Sequence, residues 1–147
     1  MERAHDGLLL VGRLLLVALF LPSGIRKLMG FSGFTATLAE RGLPYPEYWA
    51  IAAVAIEVLA PIALVIGIFP RLTALFLIAF VIAATATSHR YWEFAEPARR
   101  FQEISFFKNL GILGGLLFYF VSGPGAWSWS VRWPSRGTVH REAASST

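Results

Sequence analysis

Glu57 is the one charged residue in an apolar stretch that runs from Tyr48 to Phe69. A stretch of this length can cross a bilayer as a helix, which takes about 20 apolar residues. A carboxylate near the middle of the hydrocarbon costs roughly 2.5–3.5 kcal/mol on insertion scales. The sequence therefore predicts a membrane-embedded protein in which Glu57 has a partner, a water-filled cavity or a task.

The composition of the chain agrees with a membrane protein of a single domain. Its 147 residues are 56% hydrophobic and only 15% charged, which is far more apolar than a typical soluble domain. Cysteine is absent, which excludes disulfides, thiolate metal sites and thiol redox chemistry. The three histidines lack helical spacing, so no metal site is predicted. The net charge of +4 lies mostly in loops and tail, beside lipid headgroups, and does not indicate a nucleic-acid partner.

Four apolar segments predict an all-α membrane fold, an antiparallel four-helix transmembrane bundle. Residues 1–130 form this transmembrane domain, and residues 131–147 are expected to be a polar, disordered tail. The expected spans are Gly7–Ile25, Tyr48–Phe69, Leu72–His89 and Ile104–Val121. All tryptophans fall at or beyond the span ends, as interfacial aromatic belts do. They are Trp49, Trp92, Trp127, Trp129 and Trp133.

The loop from Leu28 to Glu47 is expected to contain a short helix that lies flat along the membrane surface. Ser32 can cap its start, and Gly42 can end it. The chain is expected to be a multi-pass protein of the plasma (inner) membrane. Its basic residues are divided almost evenly between the two sides, so the positive-inside rule does not orient it.

The topology sorts the polar residues, because odd spans start on the side of the termini and even spans on the side of the two longer loops. Glu57 lies below the loop side, and Arg13 enters from the opposite side. The polar and aromatic residues expected to converge on the loop side are Lys27, His89, Trp92, Lys108 and Asn109. Together with Glu57 and Arg13, they are the candidate ligand-binding or proton site.

Glycines mark the expected helix contacts. Gly24 shares a helix face with Arg13 and Lys27 and can allow a close approach of another helix. A second group of small residues, typical of helix packing in membranes, lies in the fourth span. It consists of Gly111, Gly114 and Gly115.

The charged candidates each have a structural and a functional interpretation. Glu57 and Arg13 can neutralise each other, although their depths differ by about 9 Å on the helix rise. Glu57 can equally be a ligand or proton site. Lys27 and Lys108 are more often headgroup anchors, and His89 is more often an interfacial hydrogen-bonding residue.

The chain resembles the DoxX family of small four-span membrane proteins over about residues 10–130. Single segments are weak signals, but their order and spacing together are fairly specific. The segments that carry the resemblance are Arg13–Leu15, Phe20–Leu28, Leu38–Pro44, Glu57 with Leu64–Arg71, His89–Trp92, Phe107–Leu110 with Gly114-Gly115, and Gly123–Gly125 with Ser128.

The resemblance implies a fold more than an activity. Some members of the family are linked to membrane redox systems, including a thiosulfate:quinone oxidoreductase, and to oxidative-stress complexes. Related methylamine-utilisation and vitamin K reductase-like groups use cysteines, and this chain is similar to the cysteine-free branch.

Two functions are compatible with these observations. In the first, the chain is a membrane subunit of an oxidoreductase that holds a quinone or small amphiphile between its spans. Lys108 or His89 would hydrogen-bond a quinone oxygen, Glu57 would carry protons, and a redox partner protein would supply electrons, because the chain has no ligand set for an intrinsic cofactor. In the second, it is a non-catalytic scaffold or accessory protein in the lipid bilayer, alone or as a homo-oligomer.

Overall fold

The structure is a computed structural model that describes residues 2–129, and no strand occurs in that part of the chain. A short 3₁₀ turn at Tyr91–Glu93 precedes the last helix. The five α-helices are α1 (Glu2–Met29), α2 (Phe31–Glu40), α3 (Pro46–Ile66), α4 (Pro70–Ser88) and α5 (Ala98–Ser122). The predicted tail at 131–147 and Trp133 lie outside the described residues.

Four of these helices, α1, α3, α4 and α5, are long and apolar enough to cross a membrane. The prediction of four helical spans is therefore confirmed. Both α1 and α5 begin before the predicted spans, at Glu2 and Ala98. Apolar residues mark only the hydrocarbon-facing part of a helix, whereas backbone hydrogen bonding can continue into a polar segment.

Prolines and glycines set the ends of the spanning helices. Pro46 and Pro70 occupy first-turn positions of α3 and α4, where a missing N–H leaves no bond unmade. Gly67 ends α3 with φ of 78° and donates its N–H to the carbonyl of Ala63 at 2.8 Å. This left-handed conformation favours glycine, and it allows α4 to follow α3 after a very short turn.

The loop after α1 contains the predicted short helix, α2, but not the predicted cap. Gly30 occupies the N-cap without a side-chain hydrogen bond, so Ser32 lies inside α2 rather than before it. The chain continues from α1 into α2 after a single residue, which leaves no room for a separate capping turn. Gly42, with φ of 77°, follows the end of α2 as predicted.

The described part of the bundle has many large apolar side chains on its outside and several polar ones within. Leu15, Leu59 and Phe118 are mostly exposed, whereas Arg13 and Glu57 are buried. In water this distribution would be unfavourable, but in lipid it places apolar surface against acyl chains. The buried apolar core consists of Phe20, Leu64, Ala74, Leu77, Val81, Ile112, Leu116 and Tyr119.

The helices pack in an open row rather than a closed ring. α3 packs closely against α1 and also contacts α4 and α2, and α4 packs against α5. α1 and α5 touch each other at few positions. A groove therefore remains between α1 and α5.

Gly24 allows the closest approach in the contact between α1 and α3. A Cβ atom at this position would lie 2.9 Å from the Cβ of Glu57 and 3.0 Å from the Cγ2 of Val58. Contacts this short force a shift of one helix against the other. The prediction that Gly24 serves close helix packing fits this geometry.

We expect Gly24→Ala to destabilise the fold by about 1–3 kcal/mol, the usual cost of adding a methyl group to a filled contact. Unfolding of the purified protein in detergent measures this change. Gly12→Ala is the matched control on the same helix, since a Cβ there meets nothing within 4 Å. Equal stability of the two variants would contradict the proposed close contact.

Candidate functional site

Glu57 of α3 forms an ion pair with Lys27, which lies near the end of α1. The Nζ of Lys27 donates a hydrogen bond to Oε1 of Glu57. The Glu57 side chain is only 5% exposed, whereas that of Lys27 is 27% exposed. The cation partner of Glu57 is therefore Lys27, and the pair is open to its surroundings from the lysine side.

The second carboxylate oxygen of Glu57, Oε2, is buried and accepts no hydrogen bond from the described residues. A buried acceptor without a donor costs about 1–3 kcal/mol, and more when it is charged. Pro61 also lacks the N–H that would bond to the Glu57 carbonyl in a regular helix. Glu57 thus has unused acceptor capacity beside a partly exposed ammonium group.

Two aromatic rings from other helices flank the Lys27 ammonium group. Its Nζ lies 5.1 Å from the ring centroid of Phe34 in α2 and 5.8 Å from that of Phe80 in α4. Both distances are within the range of cation–π attraction. Four helices, α1 to α4, therefore contribute to this polar cluster, which we call the ion-pair site (Lys27, Glu57, Phe34 and Phe80).

Asn109 is buried between α5 and α4. Its Nδ2 donates to Oγ1 of Thr85 at 2.8 Å, and Thr85 in turn donates to the carbonyl of Val81 at 2.6 Å. This short chain of hydrogen bonds joins the two helices. Thr85 is not among the residues predicted from the sequence, although a threonine inside an apolar span is itself a signal of a hydrogen bond between helices.

His89 and Trp92 belong to the connection between α4 and α5. Nδ1 of His89 is 2.8 Å from Oε1 of Gln102, and Trp92 is 58% exposed with its ring edge-on to Tyr91. No hydrogen bond or ion pair of the described residues connects either residue to the ion-pair site. Their roles in ligand binding stay predictions.

Lys108 is exposed on α5. It lines the groove between α1 and α5 and makes no hydrogen bond or ion pair with the described residues. Neither a bond nor an ion pair joins it to Lys27 or Glu57. Successive residues of a helix point about 100° apart, so Lys108 and Asn109 cannot both face the bundle interior. Asn109 is the buried one of the two.

Arg13 does not contact Glu57. Its Nη1 donates to the carbonyl of Val65 at 2.6 Å, and its Nη2 donates to the carbonyl of Trp127 at 2.9 Å. The residue is 1% exposed. Pairing of Arg13 with Glu57 was one of two interpretations of the sequence, and it does not occur in the structure. The guanidinium donates instead to backbone carbonyls, that of Val65 near the end of α3 and that of Trp127.

The contacts of Arg13 belong to a cap on the carboxyl end of α3. The last carbonyls of a helix have no partner within it, and inside a membrane each must find one. The carbonyl of Ala63 accepts a hydrogen bond from the N–H of Gly67. The carbonyl of Leu64 accepts one from the hydroxyl of Tyr119 at 3.3 Å, and that of Val65 accepts one from Arg13. A cation here also faces the negative end of the helix dipole.

The glycines of α5 lie on an open surface within this single chain. A Cβ at Gly111 or Gly114 would meet nothing within 4 Å, and one at Gly115 would lie 3.6 Å from Leu16. Their predicted packing role therefore has no partner helix at Gly111 and Gly114 in the described residues and stays a prediction. Residues 2–129 contain no group of three or more His, Asp or Glu that could hold a metal ion.

The chain is similar both to a family model and to individual proteins. The DoxX family model matches residues 8–90. Inner membrane protein YphA of Escherichia coli (strain K12) is 38% identical over 123 residues, which cover 84% of this chain and 88% of the relative. Inner membrane protein YqjF of the same organism is 31% identical over 128 residues, which cover 87% and 93%. No solved structure matches the chain.

We expect Glu57→Gln to destabilise the protein by about 3 kcal/mol, at the low end for breaking a buried pair because Lys27 keeps some exposure. Unfolding in detergent gives the value. A double-mutant cycle with Lys27→Met should show that the two changes are not additive. Glu93→Gln, in the exposed pair Arg90–Glu93, is the control and should cost at most about 1 kcal/mol.

Arg13→Lys should lower stability by about 1.5–3 kcal/mol, because an ammonium group cannot hold both carbonyls in the fork geometry of a guanidinium. The same unfolding measurement applies. Arg71→Lys is the matched control, since Arg71 is exposed and forms no hydrogen bond or ion pair with the described residues. Loss of similar size in both variants would refute the capping role of Arg13.

Proposed function

The chain belongs to the DoxX family, and we propose that it binds the head of a quinone-type amphiphile at the ion-pair site. In this role it is a membrane subunit associated with a redox system. It is a multi-pass protein of the inner membrane, as its four apolar helices and its inner membrane relatives show. The ligand and the redox association are the proposal.

The proposal includes the arrangement of the helices, an antiparallel bundle with α2 along the membrane surface. Arg13 of α1 contacts Val65 near the end of α3, whereas Lys27, later in α1, contacts Glu57, earlier in α3. His89, just after α4, contacts Gln102 near the start of α5. Such contacts between early and late residues support antiparallel neighbours. α2, with contacts to α3 and α1, then covers the end of the bundle that holds the ion-pair site.

The observation that carries the proposal is the unpartnered Oε2 of Glu57 beside Lys27. A quinol hydroxyl donates a hydrogen bond, which Oε2 is placed to accept. A quinone oxygen accepts one, which Lys27 can donate, since an ammonium group has three N–H donors and one is used on Glu57. The site thus offers a partner to both redox forms of the same head group.

The surroundings of the pair suit an aromatic head with an apolar tail. Phe34 and Phe80 provide ring surfaces near Lys27, and the lysine side chain is the more exposed member of the pair. A ligand dissolved in the membrane would approach from that side. Glu57 is then the group that takes up or returns the proton of the bound hydroxyl, and a partner protein exchanges the electrons.

A titration of the purified protein in lipid nanodiscs with a decyl-substituted benzoquinol, and separately with its quinone, tests this function. We expect Glu57→Gln to weaken quinol binding about tenfold, which corresponds to the loss of one charge-assisted hydrogen bond. Lys27→Met should affect the quinone more than the quinol. Thermal stabilisation by the ligand gives both affinities.

Two further variants separate binding from folding. Phe34→Ala leaves the ion pair in place and should weaken both redox forms, whereas Glu93→Gln should change neither. If the wild-type protein responds to neither quinol nor quinone, while Glu57→Gln still destabilises it, the ion pair serves packing alone. That result would favour the non-catalytic scaffold.

A further inference from the structure

The groove between α1 and α5 is a second feature of the molecule, separate from the ion-pair site. Its volume is about 470 Å³, within the range of about 300–1,000 Å³ that is typical of small-molecule sites. Apolar side chains and the bare backbone of glycines form most of its wall. The residues that define it best are Gly12, Leu16, Gly111, Gly115, Arg13 and Tyr119.

The groove leads into a polar hollow at the start of α5. Lys108 lines both, and it is the residue at which they meet. Along α5, the groove wall runs from Lys108 to Ser122, about 21 Å at the helix rise. The residues that line the hollow are Glu96, Arg100, Glu103, Ile104, Phe107 and Lys108.

The hollow has two positively and two negatively charged side chains, and none of them has a polar partner among the described residues. Glu96, Arg100, Glu103 and Lys108 form no ion pair or hydrogen bond with any of the described residues. Lys108 is the charge nearest the groove, and Glu103 lies about 7.5 Å further toward the start of α5 at the helix rise. Outward from the groove the charges follow in the order Lys108, Glu103, Arg100 and Glu96, so a cation at the mouth of the groove is followed first by a carboxylate.

We propose that the groove and the hollow together bind one phospholipid with a zwitterionic head that carries a primary ammonium group, as in phosphatidylethanolamine. An acyl chain fills the groove between α1 and α5. The phosphate is held by Lys108, and the ammonium group lies against Glu103, the next charge toward the start of α5. The first two charges outward from the groove, Lys108 and then Glu103, match the order of phosphate and then ammonium in such a head.

A second copy of the chain is the competing occupant, because glycine surfaces also accept helices. A neighbouring helix in the groove would cover Gly111 and Gly115, but the four charges of the hollow would gain partners only if that copy also placed its own charges there. An ethanolamine phospholipid supplies a partner for both signs at once. The charges therefore favour the lipid.

Native mass spectrometry of the protein extracted in mild detergent, after reconstitution with phosphatidylethanolamine, phosphatidylcholine or phosphatidylglycerol, tests the site. We expect the ethanolamine lipid to be retained one per chain and preferred over the other two. The choline head has no N–H group to donate a hydrogen bond to the carboxylates, and the glycerol head has no cation. Glu103→Gln should reduce the preference for ethanolamine over glycerol by about two- to fivefold, as expected for one partly exposed ion pair.

Filling the groove gives a second, independent measurement. Gly111→Leu should abolish lipid retention, whereas Gly114→Leu on the same helix should not, since Gly114 does not line the groove. Neither position has atoms within 4 Å that a Cβ would strike, so both variants should fold. Equal retention of all three lipids would overturn the proposal, and so would a wild-type dimer without lipid that Gly111→Leu turns into a monomer.

Discussion

The absence of water from the bilayer core is the constraint on which the rest of this structure depends. A polar group at that depth must find its partner within the protein or cost several kcal/mol. α3 carries most of this demand. Its buried carboxylate is met by Lys27 of α1, and its last carbonyls are met by Gly67, Tyr119 and Arg13. The helix is thereby tied to α1 at its middle, through Glu57, and near its carboxyl end, through Val65.

The way in which α3 satisfies its polar groups also explains why the bundle is open on one side. Two cations of α1 have partners away from α5: the partly exposed Lys27 pairs with Glu57, and the buried Arg13 donates to the carbonyls of Val65 and Trp127. Within the described residues, no hydrogen bond or ion pair joins α1 directly to α5, and a Cβ at Gly12 of α1 or Gly111 of α5 would meet nothing within 4 Å. An open groove between α1 and α5 is the consequence.

The sequence predicts the part of this arrangement that depends on apolar length and on single-residue signals. The four spans, the short helix before Gly42 and the close approach at Gly24 follow from such patterns. The partner of Arg13 does not, because backbone carbonyls have no signature in the sequence and become available only where a helix ends. The sequence does not predict the placement of Lys108 either. A shift of one residue in the orientation of α5 decides whether Lys108 or Asn109 faces the bundle interior.

Two buried side-chain atoms in the described residues lack a partner, Oε2 of Glu57 and Nε of Arg13, and their surroundings differ in a way that separates function from structure. Arg13 uses its other two nitrogens on fixed backbone carbonyls and is almost fully enclosed, so its unused donor is a tolerated cost of capping α3. Glu57 shares its site with a lysine whose side chain is 27% exposed. An acceptor without a donor beside a partly exposed cation can be completed by a ligand that enters from the membrane, whereas the remaining N–H of Arg13 belongs to a guanidinium that already donates to two backbone carbonyls.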